Sequence, residues 1–185
     1  MASYDCLPKS PREAIVSDGS AIMKHAKCTG VSNSNNIFTT YLKTQLQSVN
    51  RLDIVFEEYI SNNLKQTTRN KRRKRVRRRL QPTTVEPKNW LEFLRIDLNK
   101  MEVFYFLAYK IPMVNFGDSK VVIITRGEQV LSSPPLNDIS VVAPCNHKGA
   151  DTRILLHVRD APQSGFTKVG VRNVDTCHSN KYRYF

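Results

Sequence analysis

The chain has 185 residues, 40% of them hydrophobic and 24% charged, so it is long enough for one domain with a buried core. Its net charge of +13 is concentrated between Lys65 and Arg79, where there are ten basic residues and no acidic one. The longest apolar run, residues 103–109, is too short to cross a bilayer, and the polar N-terminal stretch is unlike a signal peptide. We therefore expect an intracellular protein with reduced thiols and no membrane partner.

The first third of the chain predicts a strand followed by helices. Residues 1–12 are polar and rich in turn formers, and we expect a flexible terminus there. The apolar run 14–18 predicts a strand that ends in a turn at Asp18 and Gly19. Residues 36–49 have apolar side chains at helical intervals and predict a helix, as does the shorter stretch after Gly19.

The middle of the chain predicts a strand, a basic insertion and a long helix. The run RLDIVFEEY contains the second strand, which ends on Glu57. Residues 65–80 form the basic insertion, and a helical pattern then extends from about residue 90 to 111, where Pro112 ends it. We expect three aromatic side chains of this helix in the core: Trp90, Phe93 and Phe104.

The last third predicts an α/β domain. The β-branched run KVVIIT, residues 120–125, is typical of a strand covered on both faces, and a short hairpin follows it. Residues 147–162 predict a helix, and residues 167–175 predict a final strand that ends at Asp175. Strands that alternate with helices indicate a mostly parallel central sheet flanked by helices.

Acidic residues follow the predicted strands. Asp18, Glu57 and Asp175 each end an apolar run, and the carboxyl ends of parallel strands meet at one edge of a sheet. Asp151 lies at the start of a helix, in helical register with Ile154, and we expect it on the core-facing side near the same edge. Clustered carboxylates favour Mg²⁺ or Mn²⁺ and metal-dependent phosphodiester hydrolysis. The alternative is structural, because acids are also common in turns and at helix starts.

The order of several motifs carries a resemblance: SDGSAI, LDIVFEEYI, NWLEFLRIDLNKMEVFYFL, APCNHKGADTRILLH and VRNVDT. It resembles a family of animal proteins, many in multicopy settings related to mobile elements, whose core is similar to the PIN-like nuclease domain of the flap-endonuclease type. The resemblance extends from about Ile15 to Thr176, within a domain over 13–176. It implies that Asp18, Asp151 and Asp175 hold Mg²⁺ or Mn²⁺ beside a nucleic-acid phosphate.

The chain also departs from this family pattern. Relatives usually read HEEADTR, whereas this chain has Lys148 and Gly149 in place of the two glutamates, and Cys177 replaces the second acid of an Asp-x-Asp pair. Glu57 stands where an aspartate is expected. Family members continue with a further strand and helix, whereas residues 177–185 form a divergent tail, so we expect an exposed edge on the last strand. The resemblance thus implies a degenerate, truncated copy with weak or no nuclease activity.

The basic insertion suggests a nucleic-acid partner, with DNA favoured over RNA. Nine of its residues are the candidate phosphate contacts: Arg69, Lys71, Arg72, Arg73, Lys74, Arg75, Arg77, Arg78 and Arg79. In flap-endonuclease-like proteins this place in the chain forms a helical gateway over the active site. A nuclear-localisation signal and a solvated loop are the other interpretations, and the first of these implies a nuclear protein.

Other kinds of site have weaker support. Cys145, His147, Cys177 and His178 could supply zinc ligands, but their spacing matches no usual zinc finger. No special role is expected for His157. The chain has neither a nucleophile elbow nor a glycine-rich phosphate loop. The functional alternative to a nuclease relative is a non-catalytic nuclear interaction protein in which the acids are structural.

Overall fold

The fold is described by a computed structural model for residues 13–25, 34–58, 87, 89–147, 149–173 and 183–184. Within these residues six strands form one sheet, and helices pack on both of its faces. The predicted α/β architecture with a mostly parallel sheet is therefore confirmed. No helix in the described part of the chain is long and apolar enough to cross a membrane.

The elements follow one another in the predicted order. The strands are β1 (Glu13–Asp18), β2 (Arg51–Val55), β3 (Val121–Arg126), β4 (Gln129–Ser133), β5 (Lys168–Arg172) and β6 (Arg183–Tyr184). The helices are α1 (Gly19–His25), α2 (Ser34–Gln45), α3 (Trp90–Leu94), α4 (Asp97–Lys110) and α5 (Ala150–Gln163), and a 3₁₀ turn (Ile111–Met113) follows α4.

The strand order across the sheet is β4-β3-β2-β1-β5-β6. Strands β1, β2, β3 and β5 are parallel, whereas β4 and β6 pair antiparallel at the two edges. The tight β3–β4 hairpin turns at Gly127, whose φ of 59° is a conformation that glycine adopts without a steric penalty. The expected short hairpin after the third strand is confirmed.

Alternate residues of each strand point to different cores. Ile15, Leu52 and Ile124 belong to the larger cluster, which includes residues of α1 to α4. Val16 and Val55 lie in a second cluster with residues of α5. Of the predicted core aromatics, Phe93 and Phe104 are buried and Trp90 is partly buried, with its Nε1 donating to the carbonyl of Met23 at 3.1 Å.

The long helix predicted for residues 90–111 is wrong as a single element. Ile96 has an extended backbone, which separates α3 from α4. The buried side chain of Asn99 donates to the carbonyl of Phe93 at 3.2 Å, in addition to the backbone N–H of Ile96 that this carbonyl accepts at the end of α3. Both helices pack on the same core, so the spacing of apolar residues continues through the break. This spacing therefore does not reveal that the helix is interrupted.

Two further expectations are corrected. The edge of the last parallel strand is partly covered, because β6 pairs antiparallel with two residues of β5, Gly170 and Val171. The core-facing side of α5 is also rotated from the predicted one: Asp151 is exposed and Leu155 is 66% exposed, whereas Arg153 and His157 are buried. The two buried polar residues lie off the predicted core-facing side, on which Asp151 and Ile154 were expected together.

Candidate functional site

The topology creates a crevice at the carboxyl ends of β1 and β5. From β1 the chain proceeds outward to β2 and β3, and it later returns through α5 to β5 on the opposite side of β1. Such a reversal of strand order leaves an opening between the two loops that diverge from neighbouring strands. We call this opening the strand-end crevice, and it is bordered by Asp18 at the end of β1, the start of α5, and Asn173 just after β5.

Asp18 is the most buried acid of the crevice. It is the last residue of β1, it is 7% exposed, and its Oδ1 accepts a hydrogen bond from the backbone N–H of Ser20 at 2.7 Å. Burial raises the pKa of Asp18, hydrogen bonds from Ser20 lower it, and the charges of Glu57 and Asp151 raise it further, so that it lies above its usual value. The three acids are therefore close enough to interact electrostatically.

Asp151 and Glu57 border the same crevice from other elements. Asp151 lies in the first turn of α5, and its Oδ1 accepts a hydrogen bond from the side-chain amide of Asn173 at 3.0 Å. Glu57 lies two residues after β2 and is exposed. Among the described residues neither acid forms an ion pair with a lysine or arginine, and the same holds for Asp18. Three of the four predicted acids thus converge, and Asp175 lies outside the described residues.

The carboxylates provide the donor type that Mg²⁺ or Mn²⁺ requires, but they do not form a ligand set. No three histidine, cysteine, aspartate or glutamate side chains within the described ranges are arranged so that they could hold a metal ion. Carboxylate oxygens suit such hard cations, which usually require several of them in a tight shell. The described acids therefore offer suitable donor atoms for the cation, but they are not arranged as a set of ligands around it.

Position 149 has room for a longer side chain. Gly149 is the N-cap residue of α5 and precedes Asp151 by two positions. A Cβ atom built on Gly149 meets nothing within 4 Å, and the backbone φ of −81° suits any residue. A glutamate, the residue that the resemblance implies here, would start from an unobstructed Cβ position. Lys148, Cys177 and the nine candidate phosphate contacts of the basic insertion lie outside the described residues.

Arg153 was missed by the sequence reasoning and joins several parts of the crevice wall. Its side chain is 1% exposed, and its guanidinium donates to Glu58 Oε2 at 3.2 Å. It also donates to four backbone carbonyls, those of Phe56 at 3.2 Å, Gly127 at 2.8 Å, Cys145 at 3.2 Å, and His147. Arg153 therefore ties the end of β2, the β3–β4 turn and the segment before α5 to the helix that bears Asp151.

A second buried polar cluster lies at the other end of β2. The guanidinium of Arg51 donates to both oxygens of Asp53, at 2.8 and 2.7 Å, and to Asp160 at 2.6 Å. His157 Nδ1 lies 2.8 Å from Asp53, so the expectation that His157 has no special role is wrong. Burial opposes ionisation of Asp53, but the charge of Arg51 and hydrogen bonds from Arg51 and His157 hold its pKa below the usual value. The signal available in the sequence was the position of His157 inside the otherwise apolar run of residues 154–158.

The zinc alternative gains no support from the described cysteine. Cys145 is fully buried, and its carbonyl accepts a hydrogen bond from Arg153. Cys177 and His178 lie outside the described residues. No protein-family model matches the chain, and neither the curated proteins nor the solved structures contain a significant match to it.

Proposed function

We propose that this chain is a PIN-like, flap-endonuclease-related domain that binds nucleic acid and has weak or no metal-dependent phosphodiesterase activity. In this proposal the domain is a degenerate copy of the nuclease domain, in which several of the acidic positions are replaced. Mg²⁺ or Mn²⁺ is its cofactor wherever activity survives. DNA is the favoured partner over RNA, and the nucleus is the expected location.

The observation that carries the proposal is the electrostatic coupling of Asp18 with Glu57 and Asp151 at one crevice. These residues come from three different elements that are far apart in sequence. Like charges repel, so their meeting at a topological switch point is costly unless a cation or proton compensates for it. Among the described residues no basic side chain does so. The donor chemistry of such an anionic crevice, though not the described arrangement of its acids, suits a divalent cation beside a phosphate.

The residues Lys148, Gly149 and Cys177 are the reason why we propose weak or no phosphodiesterase activity. Each stands where the family pattern has an acid, and each removes one oxygen donor from the set that could surround a cation. The described acids also lack the geometry of a closed ligand set. Nucleic-acid affinity does not depend on these positions, because in this proposal it comes from the basic insertion over residues 65–80.

A non-catalytic interaction protein is the second candidate, and two contacts favour it. Asp18 accepts the backbone N–H of Ser20 in the first turn of α1, and Asp151 accepts the side-chain amide of Asn173. The first contact is a local role that acids commonly have at helix starts, and the second joins the start of α5 to the end of β5. In this alternative the acids stabilise the ends of α1 and α5, and the protein makes no metal-dependent cut.

The two candidates are separated by a cleavage assay. Purified protein is incubated with branched and single-stranded DNA in Mn²⁺, beside the double variant Asp18→Asn, Asp151→Asn. The matched control is Asp118→Asn, an exposed acid in the turn before β3. Cutting that requires Mn²⁺, persists in the control and disappears in the double variant supports the nuclease relationship. Equal background in all three proteins supports the interaction protein.

A further inference from the structure

Helix α4 presents two exposed tyrosines on one face. The side chain of Tyr105 is 39% exposed and that of Tyr109 is 52% exposed. They are four residues apart, so they lie on the same side of the helix with a rise of about 6 Å between them. The other side of this helix contributes Phe104, Leu107 and Ala108 to the core. Flat aromatic rings are thus displayed in series on a rigid element.

Each exposed tyrosine has a cation over its ring. The guanidinium of Arg126 lies 5.8 Å from the ring centre of Tyr105, and Lys110 Nζ lies 5.4 Å from that of Tyr109. Within the described part of the chain neither cation forms an ion pair with an acid. Other cations of this region do: Arg95 pairs with Glu92 at 2.9 Å. The positive charges beside the tyrosines are therefore available to an anionic partner.

This surface is continuous with the strand-end crevice. Tyr105 and Arg126 line a shallow pocket together with Glu57, one of the three converging acids. Glu57 interacts electrostatically with Asp18 across the crevice. Tyr109 lies one helical turn further along α4. A chain that leaves the crevice past Glu57 would therefore meet the ring of Tyr105 first and that of Tyr109 next.

We propose that Tyr105, Arg126, Tyr109 and Lys110 form a binding surface for single-stranded nucleic acid, which we call the tyrosine face. Unpaired bases stack on the two rings, and the phosphates between them lie near the two cations. The inference rests on the proposed function only in taking nucleic acid as the partner. To the proposed function it adds that the bound nucleic acid is single-stranded, and it names the residues that contact it.

Charge and stacking both favour a single strand over other occupants. Bases in a duplex are already stacked on one another and cannot lie flat on a protein ring without unpairing. Neutral bases tolerate the carboxylate of Glu57 in the shared pocket, whereas phosphates are repelled by it and attracted to Arg126. An apolar peptide would cover the rings but would leave both cations without a counter-charge.

The test is fluorescence anisotropy with a dye-labelled oligothymidylate and a duplex of equal length. The variants are Tyr105→Ala, Tyr109→Ala, Tyr105→Phe and Tyr105→Leu. The control is Leu155→Ala, because Leu155 is 66% exposed on α5, a helix of the other sheet face. We expect each alanine variant to weaken single-strand binding by roughly 5- to 150-fold, the range for loss of one stacked base. Tyr105→Phe and the control should bind like the parent protein, with unchanged melting temperatures.

The leucine variant separates stacking from apolar docking. Leucine retains apolar area and helix propensity but has no flat ring, so Tyr105→Leu should lose nearly as much affinity as Tyr105→Ala. Full affinity of Tyr105→Leu would overturn the inference. So would parent-like binding by both alanine variants, in which case the proposed nucleic-acid partner would stand without the tyrosine face. A parent protein that binds neither oligonucleotide at low salt would overturn both proposals.

Discussion

His157 Nδ1 lies 2.8 Å from Asp53 Oδ2, and both side chains are fully buried between α5 and β2. Asp53 also receives two hydrogen bonds from Arg51, which reaches on to Asp160 near the end of α5. Helix α5 begins at the strand-end crevice with Asp151 and ends at this cluster. The buried ion pairs therefore hold the helix that presents one of the candidate acids.

Removing the cation of this cluster should destabilise the fold strongly. We expect Arg51→Met to lower the free energy of unfolding by about 3–5 kcal/mol, because it leaves the buried carboxylate of Asp53 without its main counter-charge. Arg95→Met is the matched control, since the Arg95–Glu92 pair is exposed and should contribute less than about 1 kcal/mol. Urea denaturation measures both. Similar small losses in the two variants would contradict the structural role of the cluster.

Asp18→Asn should stabilise the fold at neutral pH. The pKa of Asp18 is raised in the folded state, chiefly by burial, so its ionisation costs folded-state stability as the pH rises above its unfolded-state value. Asparagine retains an oxygen for the Ser20 N–H and has no charge. We therefore expect a melting temperature above that of the parent at pH 7.

The difference between Asp18→Asn and the parent should shrink as the pH is lowered through and below the folded-state pKa of Asp18, because the parent carboxyl then becomes neutral as well. Differential scanning calorimetry across this pH range measures it. A variant that melts below the parent at pH 7 would show that the charge of Asp18 is needed structurally. That result would favour the interaction protein over the nuclease relative.

Gly19 allows β1 and the end of β2 to approach closely. A Cβ atom at this position would lie 2.0 Å from ring atoms of Phe56, and Phe56 is stacked on Phe104 with ring centres 4.0 Å apart. We expect Gly19→Ala to cost about 1–3 kcal/mol in thermal or urea unfolding because the ring must be displaced. Gly149→Ala, where the new Cβ meets nothing, should change stability by less than about 0.5 kcal/mol. Equal effects of the two alanines would show that Phe56 moves freely.

The fold was predictable where one physical rule dominates. The β-branched run that includes Ile123 and Ile124 predicts a strand buried on both faces, and β3 is such a strand. Alternation of strands and helices likewise led to the parallel sheet, and acids at strand ends led to the convergence of Asp18 with Glu57. These features depend on local pattern and on the direction of neighbouring strands.

The rest depends on partners that are distant in sequence. Arg153 and His157 look like ordinary polar residues of a helix until β2 and the 143–147 segment are packed against them. The break at Ile96 depends on the hydrogen bond of Asn99, and periodicity does not register it. Pairing of β6 with β5 is a further long-range contact in a polar segment, where pattern analysis has little to detect.

The basic insertion should make nucleic-acid binding strongly dependent on salt. Exchanging the basic residues from Arg72 to Arg79 for glutamates should abolish most of the affinity for duplex or flap DNA, because each phosphate contact releases counterions. The parent protein should lose roughly 10³- to 10⁵-fold in affinity between about 50 and 200 mM salt if it makes six to ten such contacts. Anisotropy titrations at several salt concentrations measure this slope. A charge-reversed variant that binds like the parent would remove the insertion from the proposed interface.

In the proposed function the strand-end crevice is a nuclease site that has lost acidic ligands, and restoring those ligands tests this proposal most directly. The triple variant Lys148→Glu, Gly149→Glu, Cys177→Asp is assayed for Mn²⁺-dependent cleavage of flap and single-stranded DNA, with and without Asp18→Asn. We predict that the triple variant cuts measurably faster than the parent and that Asp18→Asn abolishes the gain. A folded triple variant with no Mn²⁺-dependent cutting above the parent, or with cutting that Asp18→Asn does not reduce, would contradict the account.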